Sequence, residues 1–386
     1  MNPVATEVRR IAPWTAVVLG LLCTAFPVSA QNNTSGGLRV EELASGLEHP
    51  WALAFIDKER MLVSERPGRL RLLRLGEKPG ASIEGLPEID SGGQGGLLDV
   101  VTDSGFARNR TIYFCYSEPG KGGNSTAMAS ARLSDDSRRL EQLKVLFSQR
   151  PKYPSNAHFG CRIVEARDGT LFLTLGDRFQ RMQDAQTLDN HHGKVVRVRK
   201  DGSVPPDNPF ADKSKAPAGA LPEIWSYGHR NVQGATLGPD GGLWISEHGA
   251  QGGDEINRPQ AGKNYGWPVI SYGVHYGGAP VGDGATAKPG MEQPVYYWTP
   301  SMAPAGMTFL RSDRYGKAWQ GNLFVGALKF RYLARLEIQD GRVVREEKLL
   351  QDLDQRIRDV REGPDGLLYV LTDHRNGKLL RLLPGS

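Results

Sequence analysis

What this chain of 386 residues lacks most is helical periodicity. Apolar residues almost nowhere recur at the three-and-four spacing of an amphipathic helix, which points away from helical architectures. Charge of one sign is missing too: 48 Lys and Arg stand against 43 Asp and Glu, a formal net charge of only +5. With no basic stripe interleaved with aromatics, nucleic acid is not an expected partner. Cysteine is scarce at three residues, and none of the spacings is that of a zinc site or of Cys-x-x-Cys-His haem attachment. Past residue 30 no segment approaches the roughly 20 apolar residues that cross a bilayer, so no membrane span is expected.

The first 30 residues read as a secretory signal. Arg9 and Arg10 precede an apolar run through Val17, Val18, Leu19, Leu21 and Leu22, and Val28-Ser29-Ala30 offers a small-residue cleavage point before Gln31. The mature chain, 31–386, is then expected to be exported, most simply to a bacterial periplasm. Cys115 and Cys161 survive such processing. They are free either to pair in an oxidising compartment or to remain two buried thiols.

Glycine (47) and proline (25) are plentiful and spread along the chain, punctuating short apolar-alternating runs. Asp168-Gly169-Thr170-Leu171-Phe172-Leu173, Asp240-Gly241-Gly242-Leu243-Trp244-Ile245 and Asp365-Gly366-Leu367-Leu368-Tyr369-Val370 repeat one phrase, an Asp-Gly turn feeding a strand. Looser copies begin at Asp57, Thr111 and Gly321. Six such hairpins predict a repeat architecture. Small antiparallel sheets expose their edges unless they close radially, so the expected fold is all-β, a six-bladed β-propeller of four-stranded antiparallel sheets in one domain. The strand-like piece from Gly37 to Leu43 is expected to join the last blade and latch the ring. In such a ring, loops from several blades meet at one mouth of the central channel.

The chemistry-bearing residues are scattered accordingly. Arg356 and Arg358 flank Ile357, and on extended backbone both guanidinium groups share a face. That suits a ligand with several carboxylates; the alternative is a solvated edge paired with Asp354 and Asp359. Lys329 follows an apolar strand with no acid nearby. His158, with Asp177 just beyond the next strand, has the composition of a carboxylate-oriented general base, although a loop histidine is also often structural. Gly228-His229-Arg230-Asn231 and the span from Ser246 to Asn257 combine a cation, amides, carboxylates and bendable glycine backbone, the oxygen donors that calcium takes. Asn264-Tyr265-Gly266-Trp267-Pro268 and Trp298-Thr299-Pro300-Ser301 offer aromatic walls for a sugar or planar cofactor, or blade-core packing.

Taken with Gly93-Gln94-Gly95-Gly96, Gly193-Lys194-Val195 and the order of these phrases, the chain resembles the soluble pyrroloquinoline quinone (PQQ) dependent sugar dehydrogenases, specifically their shorter aldose sugar dehydrogenase branch. The resemblance implies oxidation of aldose sugars at the anomeric carbon to lactones. It makes His158 the base, Asp177 its orienter, and Arg230 with Ca2+ the stabilisers of charge on the quinone. It places Lys329, Arg356 and Arg358 against the three PQQ carboxylates and Gln94, Asn231 and Ser301 in hydrogen bonds to the cofactor. It puts the calcium on the carbonyls of Gly249 and Ala250; Glu255 and Tyr265 are the candidate metal residues for any further calcium, whose number stays open. Ala157 and Ala250 depart from the pattern of larger members, which carry an acid and a proline there. The chain also lacks their long inserted loops, so a monomer with broad aldose range is expected. Electrons must leave to a separate acceptor. Two other readings stay open: a calcium-dependent propeller hydrolase such as a lactonase, and a non-enzymatic glycan- or protein-binding propeller.

Overall fold

The computed structural model describes Met1, residues 33–35 and residues 37–385. Met1–Gln31 and Asn32–Ser386 form separate units, and the fold below is that of the second. Apart from Met1, the expected signal segment lies outside the described residues. None of the described helices is long and apolar enough to cross a membrane.

Strand dominates. The described helices are the short piece Phe106–Asn109 and two 3₁₀ turns, Met182–Gln186 and Gln351–Leu353. The strands form six antiparallel sheets plus one small two-stranded ribbon. The innermost strands, in chain order, are Pro50–Phe55, Leu97–Thr102, Gly160–Glu165, Val232–Leu237, Pro304–Phe309 and Ile357–Glu362. Each packs on the next and the last packs on the first, so the ring closes as a six-bladed propeller. All six hairpin phrases occupy one structural position, the turn from first to second strand of a blade. Gly169, Gly241 and Gly366 take positive φ there (81°, 85° and 76°), the conformation glycine adopts without strain.

Leu38–Leu47 pairs with the C-terminal strand Gly377–Pro384, which latches the ring as the sequence pattern implies. With Asn33–Ser35 added, that sixth blade has five strands. The first blade departs from the four-stranded pattern and carries only three ladder strands. Pro79 cannot donate to a ladder. The fourth edge is instead covered by a kinked segment whose Gly80 and Ile83 amides donate to Leu72 and Leu70 carbonyls at 3.3 and 2.7 Å. Cys115 and Cys161 form a disulfide joining the second and third blades.

The channel is plugged. Arg162, fully buried, pairs with Asp359 at 3.0 Å and Asp99 at 3.3 Å, while Arg361 pairs with the same two acids at 3.0 and 2.9 Å. The Arg162 guanidinium also lies 4.0 Å from the Trp51 ring centroid. Buried charge of this kind is tolerated because each ion is paired and hydrogen-bonded. Asp99 and Asp359 also accept the backbone amides of Ile163 and Leu53, which ties inner strands of four blades together. This network floors the cavity above it.

Candidate active site

Two kinds of loop open at one mouth of the ring. One leads into each innermost strand; the other joins the second and third strands of a blade. The first kind brings His49, Gln94, His158, Arg230 with Asn231, Ala303, and Arg356; the second brings Arg66, Asp177, His248 to Gly253, Leu328, and Asp373 to Arg375. Residues hundreds of positions apart in sequence therefore meet, because every blade turns its strand ends the same way.

His158 and Asp177 are brought together by glycine. His158 itself sits in the left-handed region at φ 53°, a conformation costing a non-glycine residue about 1 kcal/mol or more. A Cβ on Gly176 would stand 2.0 Å from the His158 carbonyl, so only glycine lets the Asp177 loop approach this closely. His158 Nδ1 then lies 2.6 Å from Asp177 Oδ1, with the histidine ring buried. The Phe179 amide donates to the same oxygen at 2.8 Å, and the Trp267 indole donates to Oδ2, also at 2.8 Å. Burial pulls the His158 pKa below its ordinary value against the opposing pull of Asp177. The ring is therefore neutral near pH 7, with Nδ1 engaged by Asp177 and no hydrogen bond to Nε2 from any described residue.

Arg230 belongs to the same corner. Its carbonyl accepts the Asp177 amide at 2.8 Å, and its amide donates to Glu247 Oε2 at 2.7 Å. Its guanidinium reaches the Gly249 carbonyl at 2.5 Å and the His248 carbonyl at 3.2 Å, and lies over the Trp267 ring at 5.2 Å. Asn231 Oδ1 accepts the Gly160 amide at 3.2 Å, and Gln94 Oε1 accepts the His158 amide at 2.9 Å. Both amides thus fix the histidine loop as well as lining the cavity.

That cavity, about 600 Å³, is walled by Trp51, Phe159 and Leu328 and by the cations Arg66, Arg356, Arg358 and Arg375. Asp373 is the carboxylate among its lining residues. It binds Arg358 at 2.8 Å, Arg356 at 3.2 Å and His49 at 2.9 Å, and against burial these partners, Arg358 foremost, hold it well below the usual carboxylate range. Arg356 and Arg358 do share a face. Their partner, however, is neither of the acids adjacent in sequence: Asp354 pairs with Arg331 and Asp359 with Arg162 and Arg361. Burial, together with the nearby Arg358 and Arg356, pulls the Arg66 pKa down against Asp373. Four guanidinium groups against one carboxylate leave a positive field, and the buried Nε of Arg358 has no partner.

Two residues expected against the cofactor stand apart from this lining. Lys329 is exposed, its ammonium 5.3 Å from the Phe330 ring, beyond Leu328 at the rim. Ser301 gives its hydroxyl to Asp254 at 2.8 Å, and Asp254 in turn accepts the amides of Gly249 and Ala303. Ser301 therefore shapes the turn that carries Gly249 and Ala250. Arg66, Arg375, Asp373 and His49 were not legible from sequence, since a lone charge in a turn carries no pattern.

The proposed metal positions converge in part. Gly249, Glu255 and Tyr265 line one small space of about 10 Å³ with Arg230 and Glu247, whereas buried Ala250 is outside it. Glu255 lies across the strand pair from Glu247, and burial followed by that like charge pushes its carboxyl up to about 8. Asn257 donates to both acids at 3.0 and 2.9 Å, which leaves its own buried Oδ1 without a partner. Tyr265 stacks on His229 at 4.9 Å and uses its hydroxyl on the Arg258 carbonyl. No cluster of three or more His, Cys, Asp or Glu side chains forms a metal site among the described residues. His191 and His192 are structural; His192 bridges Asp184 and the Pro151 carbonyl.

The pattern of one known family spans this framework, matching residues 47–381 under the description Glucose / Sorbosone dehydrogenase. The chain belongs to the glucose/sorbosone dehydrogenase family. Among members, it is 46% identical over 368 residues to aldose sugar dehydrogenase YliI of Escherichia coli (strain K12), covering 94% of this chain and 97% of that protein. A crystal structure of the soluble aldose sugar dehydrogenase from Escherichia coli in the apo-form superposes with a TM-score of 0.85 at 45% identity, over 90% of this chain and 99% of that one. Quinoprotein glucose dehydrogenase B of Acinetobacter calcoaceticus is 30% identical over 257 residues, 59% of this chain and 52% of that protein.

Proposed function

We propose that the protein oxidises aldose sugars at the anomeric carbon to lactones, with PQQ bound in the guanidinium-lined cavity and a calcium ion beside it. The observation that carries this reading is that the buried His158–Asp177 pair adjoins the lining of that cavity: the His158 amide donates to Gln94, and Gln94 and Phe159 both line it. The space is of the size that holds a drug-sized ligand, and its aromatic walls suit a planar ring system. Four cations, with one orphaned guanidinium donor, suit a tricarboxylate. The name of the Acinetobacter relative, a quinoprotein, supports the same cofactor class.

When bound, the quinone accepts the hydride that leaves the anomeric carbon. The chain's own residues do the rest. His158 takes the hydroxyl proton at Nε2, and Asp177, ionised and held by the Phe179 amide and Trp267 indole, keeps the ring in the tautomer that leaves Nε2 open and stabilises the imidazolium. Arg230 brings a fixed positive charge to the same corner, the kind of preorganised electrostatics that contributes most to rate. Arg66, Arg356, Arg358 and Arg375 hold the carboxylates; Lys329, at the rim, is left with a long-range contribution.

For calcium the donors are hard oxygens. The Gly249 and Ala250 carbonyls would be the backbone donors, and Arg230 already donates to the Gly249 oxygen. Glu247 and Glu255 line the small space with Tyr265, and Asn257, which bonds both acids, has an orphaned Oδ1. The chain most simply works as an exported monomer that passes electrons to a separate acceptor.

The deciding experiment mixes purified apoprotein with PQQ and Ca2+ and follows aldose-driven reduction of a soluble dye. Dye reduction that needs both additions is the expected result. Lactone hydrolysis without the quinone would establish the hydrolase reading instead, and sugar binding with neither activity would establish a binding propeller.

A further inference from the structure

Beside His158 and Arg230 stand two large aromatic side chains that the protein leaves in water. Phe179 is 46% exposed and Tyr276 is 64% exposed, whereas most of the aromatic side chains of this fold are buried in or between blades. Their placement is specific. The Phe179 ring meets the His158 ring edge to face at 5.2 Å and lies 6.4 Å from the Tyr276 ring. Tyr276 is in turn 5.8 Å from the Arg230 guanidinium, which donates to its hydroxyl at 3.4 Å.

The backbone is strained to achieve this. Arg178 and Phe179 both sit in the left-handed region, at φ 58° and 65°. Such strain persists only where surroundings over-determine it. Here the agent is the Arg178 side chain, buried and locked on the Ala157 and Ser155 carbonyls at 3.0 and 2.6 Å, on Asn124 Oδ1, and over the Phe159 ring at 3.7 Å. With Arg178 pinned inward and the Phe179 amide held by Asp177, the phenyl ring has only the mouth to point to.

We propose that Phe179 and Tyr276 form an aromatic wall on which the C–H face of an aldopyranose rests while its anomeric hydroxyl meets His158 Nε2, and that these two rings set sugar selectivity. The reasoning is chemical. A pyranose is polar at its edge but presents ring C–H groups on its faces, and an aromatic ring orients it by contact without demanding a hydroxyl pattern. The wall therefore admits many aldopyranoses and discriminates by shape. This inference rests on His158 acting as the base.

The test uses 1,5-anhydroglucitol, which lacks the anomeric hydroxyl and so binds without reacting. Irradiating aromatic protons of the PQQ- and calcium-loaded protein is expected to transfer saturation to the sugar's C–H protons. The signal is expected to be lost in Phe179→Ala and Tyr276→Ala and kept in Phe179→Tyr. In glucose oxidation, Phe179→Ala is expected to raise KM roughly tenfold with a smaller loss in kcat, and Phe179→Tyr to restore KM. Unchanged KM and unchanged saturation transfer in both alanine variants would overturn the wall. Transfer from the rings to the sugar in a wild type that oxidises no aldose would support the wall and remove the dehydrogenase reading; oxidation without transfer would do the reverse.

Discussion

Asp177 is gripped on both carboxylate oxygens: His158 Nδ1 lies 2.6 Å from Oδ1 and Trp267 Nε1 lies 2.8 Å from Oδ2. Trp267 also lies beneath the Arg230 guanidinium, so one indole orients both the base's partner and the nearest cation. Trp267→Phe keeps the ring and removes the donor. A hydrogen bond to a charged group contributes about 1.5–3 kcal/mol, so kcat is expected to fall roughly tenfold or more. PQQ titration measured alongside should be unchanged; an equal loss of cofactor affinity would mean that the indole serves binding.

His158→Ala removes the proposed base. A loss of roughly 10²–10⁴-fold in kcat is expected, with quinone uptake largely intact. Stopped-flow reduction and a separate cofactor titration distinguish the two effects. Since burial lowers the His158 pKa, the acid limb of kcat/KM in the wild type should fall below pH 6.5, the ordinary histidine value.

The paired change Arg356→Ala with Arg358→Ala removes two of the four cations lining the cavity. Quinone affinity is expected to weaken by roughly a hundredfold or more. Lys329→Ala, at the exposed rim, should weaken it far less. A fluorescence titration that ranks them in the opposite order would move the anion site towards the rim.

Acid should destabilise the fold in a defined window. Burial depresses the pKa of His158, His191 and His192, and pulls His248 down to about 3. Below about pH 6.5 the unfolded chain binds protons at these positions that the folded chain refuses, so folding free energy is lost as pH falls through that value and is fully regained above it. Glu255 acts in the opposite sense, because its raised carboxyl takes up a proton in the fold before it does in the unfolded chain. Thermal melts of a Glu255→Gln apoprotein from pH 8 to pH 5 remove that contribution and should show Tm dropping; a flat profile there would mean that these rings protonate without cost.

Gly176→Ala is the sharpest test of local geometry. Its Cβ would stand 2.0 Å from the His158 carbonyl, so the Asp177 loop must move or the blade must distort. A destabilisation of about 2 kcal/mol or more is expected, together with loss of activity. Denaturant unfolding and dye reduction check both halves.

Much of the fold was legible in the chain because it is written in local chemistry. An Asp-Gly turn and alternating apolar residues specify a hairpin wherever they occur, and six copies imply a closed ring. The same locality exposed His158, Asp177, Arg230, Arg356 and Arg358, each embedded in a phrase of unusual composition. What escaped were residues whose meaning lies in partners far along the chain. Asp373 is unremarkable beside Thr372 and His374, yet it joins Arg356, Arg358 and His49, and the third of these is 324 positions away. Ser301 reads as a hydrogen-bonding residue, and only the fold shows that its hydroxyl donates to Asp254.

The sequence alone determined the strand period, the number of turns and the chemical types available for a proton transfer and an anion. Only the tertiary structure decided which cations line the cavity and which stand at its rim, which acid neutralises them, and that two exposed rings flank the base. Local propensity acts over a few residues, whereas the site is assembled by ring closure, which brings the strand ends of every blade to one mouth regardless of their separation in the chain.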